Sequence, residues 1–316
     1  MAAPTQFEKI VLITRKTRLE ELVQRFNTRP QARFYIEHSG GNFDLYEHEH
    51  KTYQEALDAL RRPLQSLLKT QEIERSFLPN FLFTEADIAV TLGVDGLVVN
   101  TAKYLSGQPL VAFNPDPAHI DGILLPFQVK EAESALRPVL AGQAAICPIS
   151  MAEARLNDGQ VLLAFNDLFI GIQSHASARY HIQMGERSEE HSSSGIIVST
   201  GAGATGWLSS LFNMADGLWA AFGGTPAELP RPFLSWEADR LVFVVREPFA
   251  SKTSSARLVC GTITPETPLL LESHMPDGGL IFSDGVQNDY LAFNSGASAV
   301  IQLAQKKTRL VTKGDE

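Results

Sequence analysis

Only two cysteines, Cys147 and Cys260, occur in 316 residues. They lie far apart, so the chain has neither a paired zinc-ligand spacing nor a disulfide framework. Reduced, packed thiols and a cytoplasmic setting are the expectation. No apolar run approaches the ~18 residues that span a bilayer. The start, Met1-Ala2-Ala3-Pro4-Thr5-Gln6, has no apolar signal core. No membrane partner is therefore expected. A basic surplus is also missing: the formal charge is −9 at pH 7, which argues against a general nucleic-acid binder. An anionic nucleotide is not excluded, because it needs only a local cluster of amides and cations. His48 and His50 sit among Glu47 and Glu49 without a ligand-spacing motif. They read as part of a solvated loop, and no metal ligand is assigned.

What is present is apolar material for a sizeable core, 44% of the chain. Lys9-Ile10-Val11-Leu12-Ile13 reads as a first, covered strand. Thr14-Arg15-Lys16-Thr17-Arg18 follows as a basic, solvated loop, then a helix over 19–26. Phe34-Tyr35-Ile36 reads as a short strand or helix. Residues 52–68 carry a helical pattern that Pro63 should kink or split. Residues 77–83 read as another strand or its approach, and 88–92 and 108–114 as further strands. Strands alternating with helices indicate an α/β domain with a Rossmann-like, mostly parallel sheet over 1–140. Beyond it, frequent short strands between Gly, Pro and Ser turns indicate an all-β, sandwich-like domain over 141–303. Residues 304–316 read as a polar tail.

Two stretches carry chemistry. In Thr91-Leu92-Gly93-Val94-Asp95-Gly96-Leu97 one acidic residue sits between two glycines where a strand becomes a helix. Amides at a helix start favour phosphate. A carboxylate there can take a proton from a hydroxyl, or hold a metal bridging phosphates; it can equally be a plain helix cap. The second is Ser192 to Trp207, where a strand enters a loop rich in hydroxyls and glycines before helical pattern resumes at Leu208, Leu211, Met214 and Leu218. It is not a Walker A loop, since no Gly-Lys-Ser/Thr follows, and it is not read as a Rossmann fingerprint. Its plain alternative is a tight Gly-rich turn packed on a neighbour.

In this order the motifs resemble the NAD kinase superfamily. Its Gly-Gly-Asp-Gly-Thr motif is similar to Gly93-Val94-Asp95-Gly96-Leu97, and its Asn-Glu motif to Asn166-Asp167. Its Asp-Gly-(x)3-Ser-Thr-Pro-Thr-Gly-Ser-Thr-Ala-Tyr motif resembles Ser194-Gly195 through Ser199-Thr200-Gly201-Ala202-Gly203-Ala204-Thr205-Gly206-Trp207. The mitochondrial-type branch is matched by Thr17-Arg18, by Val111 to Pro117 with Gly122 and Leu124-Leu125-Pro126, by Arg246-Glu247-Pro248, and by Phe282-Ser283-Asp284-Gly285.

The resemblance implies ATP- and Mg²⁺-dependent phosphorylation of the adenosine 2′-hydroxyl of NAD. It also implies an α/β domain followed by a β-sandwich-like domain, and a homo-oligomer, with a dimer favoured. By position, Asp95 becomes the base or orienting carboxylate. Gly93 and Gly96 let the backbone approach phosphate, with Gly96 also near the dinucleotide. Asn166 and Asp167 hold NAD, and Thr205, Trp207 and Ser210 line its pocket. Val94 and Leu97 stand where the family has glycine and threonine, and Ser194 where it has aspartate. Asp167 is one methylene shorter than glutamate, ~1.5 Å of reach. A side chain at 94 is expected to crowd phosphate or to forbid a glycine-only backbone angle. These departures keep two other readings open: a related kinase of a sugar, polyol or lipid hydroxyl, and a non-catalytic NAD(P)-binding protein.

Overall fold

A computed structural model describes residues 7–223, 231–232 and 234–314. The opening six residues read above for a signal core lie outside the described residues. Two compact units emerge, one of Met1–Cys147 with Thr308–Glu316, the other of Pro148–Lys307.

The first unit runs β1 (Lys9–Thr14), α1 (Arg18–Phe26), α2 (Arg29–His38), α3 (Phe43–Leu67), β2 (Lys69–Glu74), β3 (Asp87–Leu92), α4 (Asp95–Ala102), β4 (Pro109–Asn114), β5 (Phe127–Gln128), α5 (Ala132–Leu140) and β6 (Ile146–Ile149). Strands β2, β1, β3 and β4 lie side by side and parallel. Every residue of β3 and β4 is buried, as a parallel sheet covered on both faces requires. Tyr53, Leu57, Leu60 and Leu64 recur at helical spacing on α3 and pack with Ile10, Leu12, Ile88 and Val90 of the sheet.

Several expectations change here. Pro63 does not split its helix: α3 runs through it, and Leu60 and Leu64 on either side are fully buried. His48 and His50 lie on α3 and not in a loop. The segment around Phe77 is a 3₁₀ turn over Arg75–Asn80, with Pro79 inside it. The strand there is the preceding β2, whose polar sequence suits an edge position and gives no apolar signal. The basic cluster is not simply solvated. Thr17 caps α1, accepting the Glu20 N–H, while Glu20 Oε2 accepts the Thr17 N–H at 2.7 Å. Arg15 and Arg18 both grip Glu49 of α3, at 2.8 and 2.6 Å. Burial opposes the charge of Glu49, but hydrogen bonds from Arg18 and Arg15 prevail and hold its carboxyl below the usual range.

The second unit runs β7 (Ala152–Leu156), β8 (Val161–Ala164), β9 (Asp167–Ile172), β10 (Ala178–Met184), β11 (Arg187–Ser193), β12 (Ile196–Ser199), α6 (Trp207–Phe222), β13 (Leu241–Val245), β14 (Cys260–Ile263), β15 (Leu269–Ser273), β16 (Gly279–Ser283), β17 (Val286–Ala292) and β18 (Ser298–Leu303). They form two six-stranded sheets, ordered β11-β10-β15-β18-β7-β8 and β14-β13-β12-β9-β16-β17. One core joins Ala154, Tyr180, Leu271 and Ile301 of the first sheet to Ile170, Val198, Phe243 and Ile281 of the second. The unit is therefore a β-sandwich, with α6 against β12. Cys260 on β14 is exposed and Cys147 half-buried, and neither is in a disulfide, so the packed-thiol expectation holds for neither in full.

The chain then returns to the first unit. The stretch read as a polar tail carries a strand, β19 (Thr308–Val311), which pairs parallel to β4. In sheet order it stands between β4 and β6. Leu310 and Val311 are 1% and 2% exposed. Two apolar residues among lysines and arginines are too few for a strand signal, yet they complete the sheet. Leu310→Ala should cost about 2–4 kcal/mol in denaturant unfolding. A change below about 0.5 kcal/mol, the size of an ordinary surface substitution, would show that the terminal strand is not part of the core.

Candidate active site

In the first unit the candidate site is the turn between β3 and α4. Val94 is the N-cap of α4, with φ −106° and ψ 165°. That is extended backbone open to any residue, so Val94 takes an angle that does not need glycine. Neither Gly93 nor Gly96 has a positive φ. A Cβ on Gly96 would meet nothing within 4 Å, whereas one on Gly93 would come within 2.9 Å of Leu97 Cδ2. Leu97 itself is 1% exposed, so the residue that stands in place of threonine has joined the core.

Asp95 is half-buried in the first turn of α4. Its Oδ1 accepts the Leu124 N–H at 2.8 Å, a link between two motifs set apart in sequence. The Leu124 loop is shaped in turn by Asn114, whose amide donates to Ile120 O at 2.8 Å and whose Oδ1 accepts the Asp116 N–H at 2.9 Å. Gly122 in that loop has φ +62°, and a Cβ there would lie 2.8 Å from the Asn114 amide. Beside the turn opens a cavity of about 430 Å³ whose lining includes Arg15, Arg18, Glu49, Tyr53, Val94 and Asp116. These elements meet at the carboxyl ends of β3 and β4, the place where open parallel sheets bind ligands.

In the second unit the centre is the turn Phe165-Asn166-Asp167. The Asp284 carboxylate accepts three consecutive N–H groups there: Phe165 on Oδ2 at 3.1 Å, Asn166 and Asp167 on Oδ1 at 2.7 and 3.2 Å. Asp284 also donates its N–H to Asp167 O at 2.9 Å. It sits at φ +54°, in the left-handed region that Asp tolerates better than most residues. Thr200 closes the other side, giving its hydroxyl to Phe165 O at 2.6 Å and its N–H to Asn166 O at 2.9 Å. Gly203 passes so close that a Cβ there would lie 2.1 Å from Asn166 O. The Gly-rich loop is thus moulded onto the Asn166 turn.

This geometry perturbs Asp167. Burial first, and the Asp284 charge second, push its carboxyl up to about 6. Thr205 and Ser210 are exposed at the start of α6, and Ser210 is tied to Gly206 O by its N–H at 3.2 Å. Trp207 lies parallel to Phe169, with centroids 5.8 Å apart and planes 6° apart, and the Arg246 guanidinium lies 5.5 Å from the Trp207 ring centre. Gly201, Gly203 and Gly206 do have the Gly-x-Gly-x-x-Gly spacing. The β-α-β context of that fingerprint is absent here, because β12 pairs antiparallel with both β13 and β9.

Of the residues selected from sequence, Asn166, Asp167, Thr205, Trp207 and Ser210 share the second unit, while Gly93, Asp95 and Gly96 share the first. Thr200 and Leu124 gain roles that only the fold reveals.

No family model matches the sequence, nor does any curated protein. Solved structures do match along nearly the whole chain. A yeast NADH kinase complexed with NADH aligns over 97% of this chain and 84% of its own, at 15% identity and a TM-score of 0.57. An NAD kinase from Archaeoglobus fulgidus in complex with ATP aligns over 96% of this chain and 93% of its own, at 13% identity and a TM-score of 0.56. The fold is that of the NAD kinases. Within the NAD kinase fold, Gly93–Leu97 opens the helix after β3, Asn166-Asp167 opens β9, and Gly201–Gly206 opens α6.

The raised Asp167 carboxyl makes stability depend on pH. Its proton binds more tightly in the folded state than on an ordinary aspartate, whose value is 3.8. The associated stability is complete below about pH 4 and lost as pH rises through about 6. Asp167→Asn should therefore stabilise the ligand-free protein above pH 6.5, by an amount on the order of 2 kcal/mol. The gain should vanish toward pH 4. Thermal melts across this range measure it, and an equal gain at every pH would contradict the assignment.

Proposed function

We propose that this protein is an NAD kinase, transferring the γ-phosphoryl group of ATP to the 2′-hydroxyl of the adenosine ribose of NAD. The observation that carries this reading is the coincidence of fold and motif. A chain with the NAD kinase fold sets an aspartate at a helix start beside a cavity, and moulds a Gly-rich loop onto an Asn-Asp turn.

In this reading Asp95 orients the attacking hydroxyl and takes its proton. The Leu124 N–H fixes one carboxylate oxygen and leaves Oδ2 for that task. Gly93 and Gly96 admit phosphate to the backbone at the start of α4. Asn166 and Asp167 hold the ribose or base, and Thr205, Trp207 and Ser210 border the dinucleotide. Phosphoryl transfer asks a protein mainly for alignment and charge neutralisation, so few groups suffice. Mg²⁺ fits this donor set, since it takes hard oxygen ligands and leans on substrate phosphates and water more than on a protein cage. When bound, it would neutralise charge on the phosphates. A homodimer belongs to the same reading. A second reading, a kinase of another hydroxyl substrate, draws on Val94, whose side chain borders the cavity where the family has none.

The test is NADP formation from ATP, Mg²⁺ and NAD, read with an NADP-specific cycling enzyme. Asp95→Asn should reduce turnover by about 10²–10⁴-fold and change NAD affinity little. Unchanged turnover would remove Asp95 from the chemistry. Saturable NAD binding without NADP formation by the wild type would overturn the kinase reading in favour of a non-catalytic binder.

A further inference from the structure

The cavity beside the Asp95 turn carries a cluster that the phosphoryl-transfer reading does not use. His48 from α3, and Asp116 and His119 from the turn after β4, each present one ligand atom, and the three atoms lie within 4.8 Å of one another. All three residues line the cavity. His119 Nδ1 and an Asp116 carboxylate oxygen are 2.9 Å apart, and the His48 and His119 rings meet edge to face at 5.6 Å.

We infer that His48, Asp116 and His119 form a binding site for a divalent transition-metal ion of the zinc class. Two imidazoles and one carboxylate are a donor set that suits zinc and its neighbours, and the wrong one for Mg²⁺, which takes oxygen. Metal–ligand bonds of about 2.0–2.2 Å put tetrahedral ligand atoms roughly 3.3 Å apart. The observed cluster needs only small rotations of two exposed imidazoles to reach that spacing. Its frame is already rigid. Pro115 and Pro117 flank Asp116, the Asp116 N–H is held by Asn114 Oδ1 at 2.9 Å, and the His119 and Ile120 N–H groups both return to Asp116 O, at 3.1 and 2.9 Å. His48 rides on a helix of 25 residues.

Charge is compatible with a cation. The nearby guanidiniums of Arg15 and Arg18 are engaged by Glu49, and Asp116 adds a negative charge. Three protein ligands leave one tetrahedral position open to the cavity. The inference concerns the first unit alone and does not rest on the kinase reading.

The test uses the full chain, stripped of metal by a chelator and titrated with Co²⁺, whose visible absorption reports tetrahedral nitrogen and oxygen ligands. One Co²⁺ per chain should bind saturably, with displacement by Zn²⁺ and not by millimolar Mg²⁺. His48→Ala and His119→Ala should each weaken binding at least tenfold, whereas His175→Ala, on an exposed loop of the second unit, should not. Zn²⁺ should raise the Tm of the wild type and leave that of the double variant His48→Ala/His119→Ala unchanged. Both imidazoles are exposed, so the metal-free Tm of that variant should match the wild type and report an intact fold. Absence of saturable Co²⁺ binding, or equal affinity in the double variant, would overturn the site.

Discussion

The Asp284 carboxylate, accepting the N–H groups of Phe165, Asn166 and Asp167, is the interaction on which the second unit's site depends. The turn between β8 and β9 leaves its amides without strand partners, and buried amides left unpaired are costly. One ionised carboxylate satisfies three of them. The consequence falls on Asp167, which is left half-buried beside a like charge. The same clamp fixes Asn166 O where Thr200 can reach it, and the approach of Gly203 follows. Hydroxyl, glycine and carboxylate thus form one construction, in which the Asn-Asp turn and the Gly-rich loop are parts of a single surface.

The Asp95 turn obeys a similar logic in the first unit. A carboxylate, that of Asp95, is steadied through Oδ1 by one backbone N–H, from Leu124. The departures from the family pattern around it are accommodated by the fold. Val94 adopts an ordinary extended cap conformation, and Leu97 turns into the core. Of the two, Val94 alone lines the cavity.

Much of this was legible in the sequence, and the reasons are particular. The first, third and fourth strands announce themselves because burial on both faces demands continuous apolar runs. Helix α6 shows because Leu208, Leu211, Met214 and Leu218 keep helical spacing. Strands β2 and β11 were invisible because edge strands are polar, and β19 because a strand contributed across the chain needs only Leu310 and Val311. Asp95 and Asn166-Asp167 were singled out by motif, and the fold sets each at a turn next to a strand end. The clamp was not, since 117 residues separate Asp167 from Asp284 and no local pattern couples them. The same holds for His48 with Asp116 and His119, which one helix and one proline-bounded turn bring together.

The central proposal is that Asp167, poised by Asp284, holds the dinucleotide through its ionised carboxylate. It is tested most directly by calorimetric NAD affinity between pH 5 and 8, for the wild type and for Asp167→Asn. The account predicts that wild-type affinity rises with pH through a midpoint near 6, as the accepting carboxylate ionises, and that the variant binds more weakly with no such rise. An affinity independent of pH in the wild type, or the same rise in the variant, would contradict it.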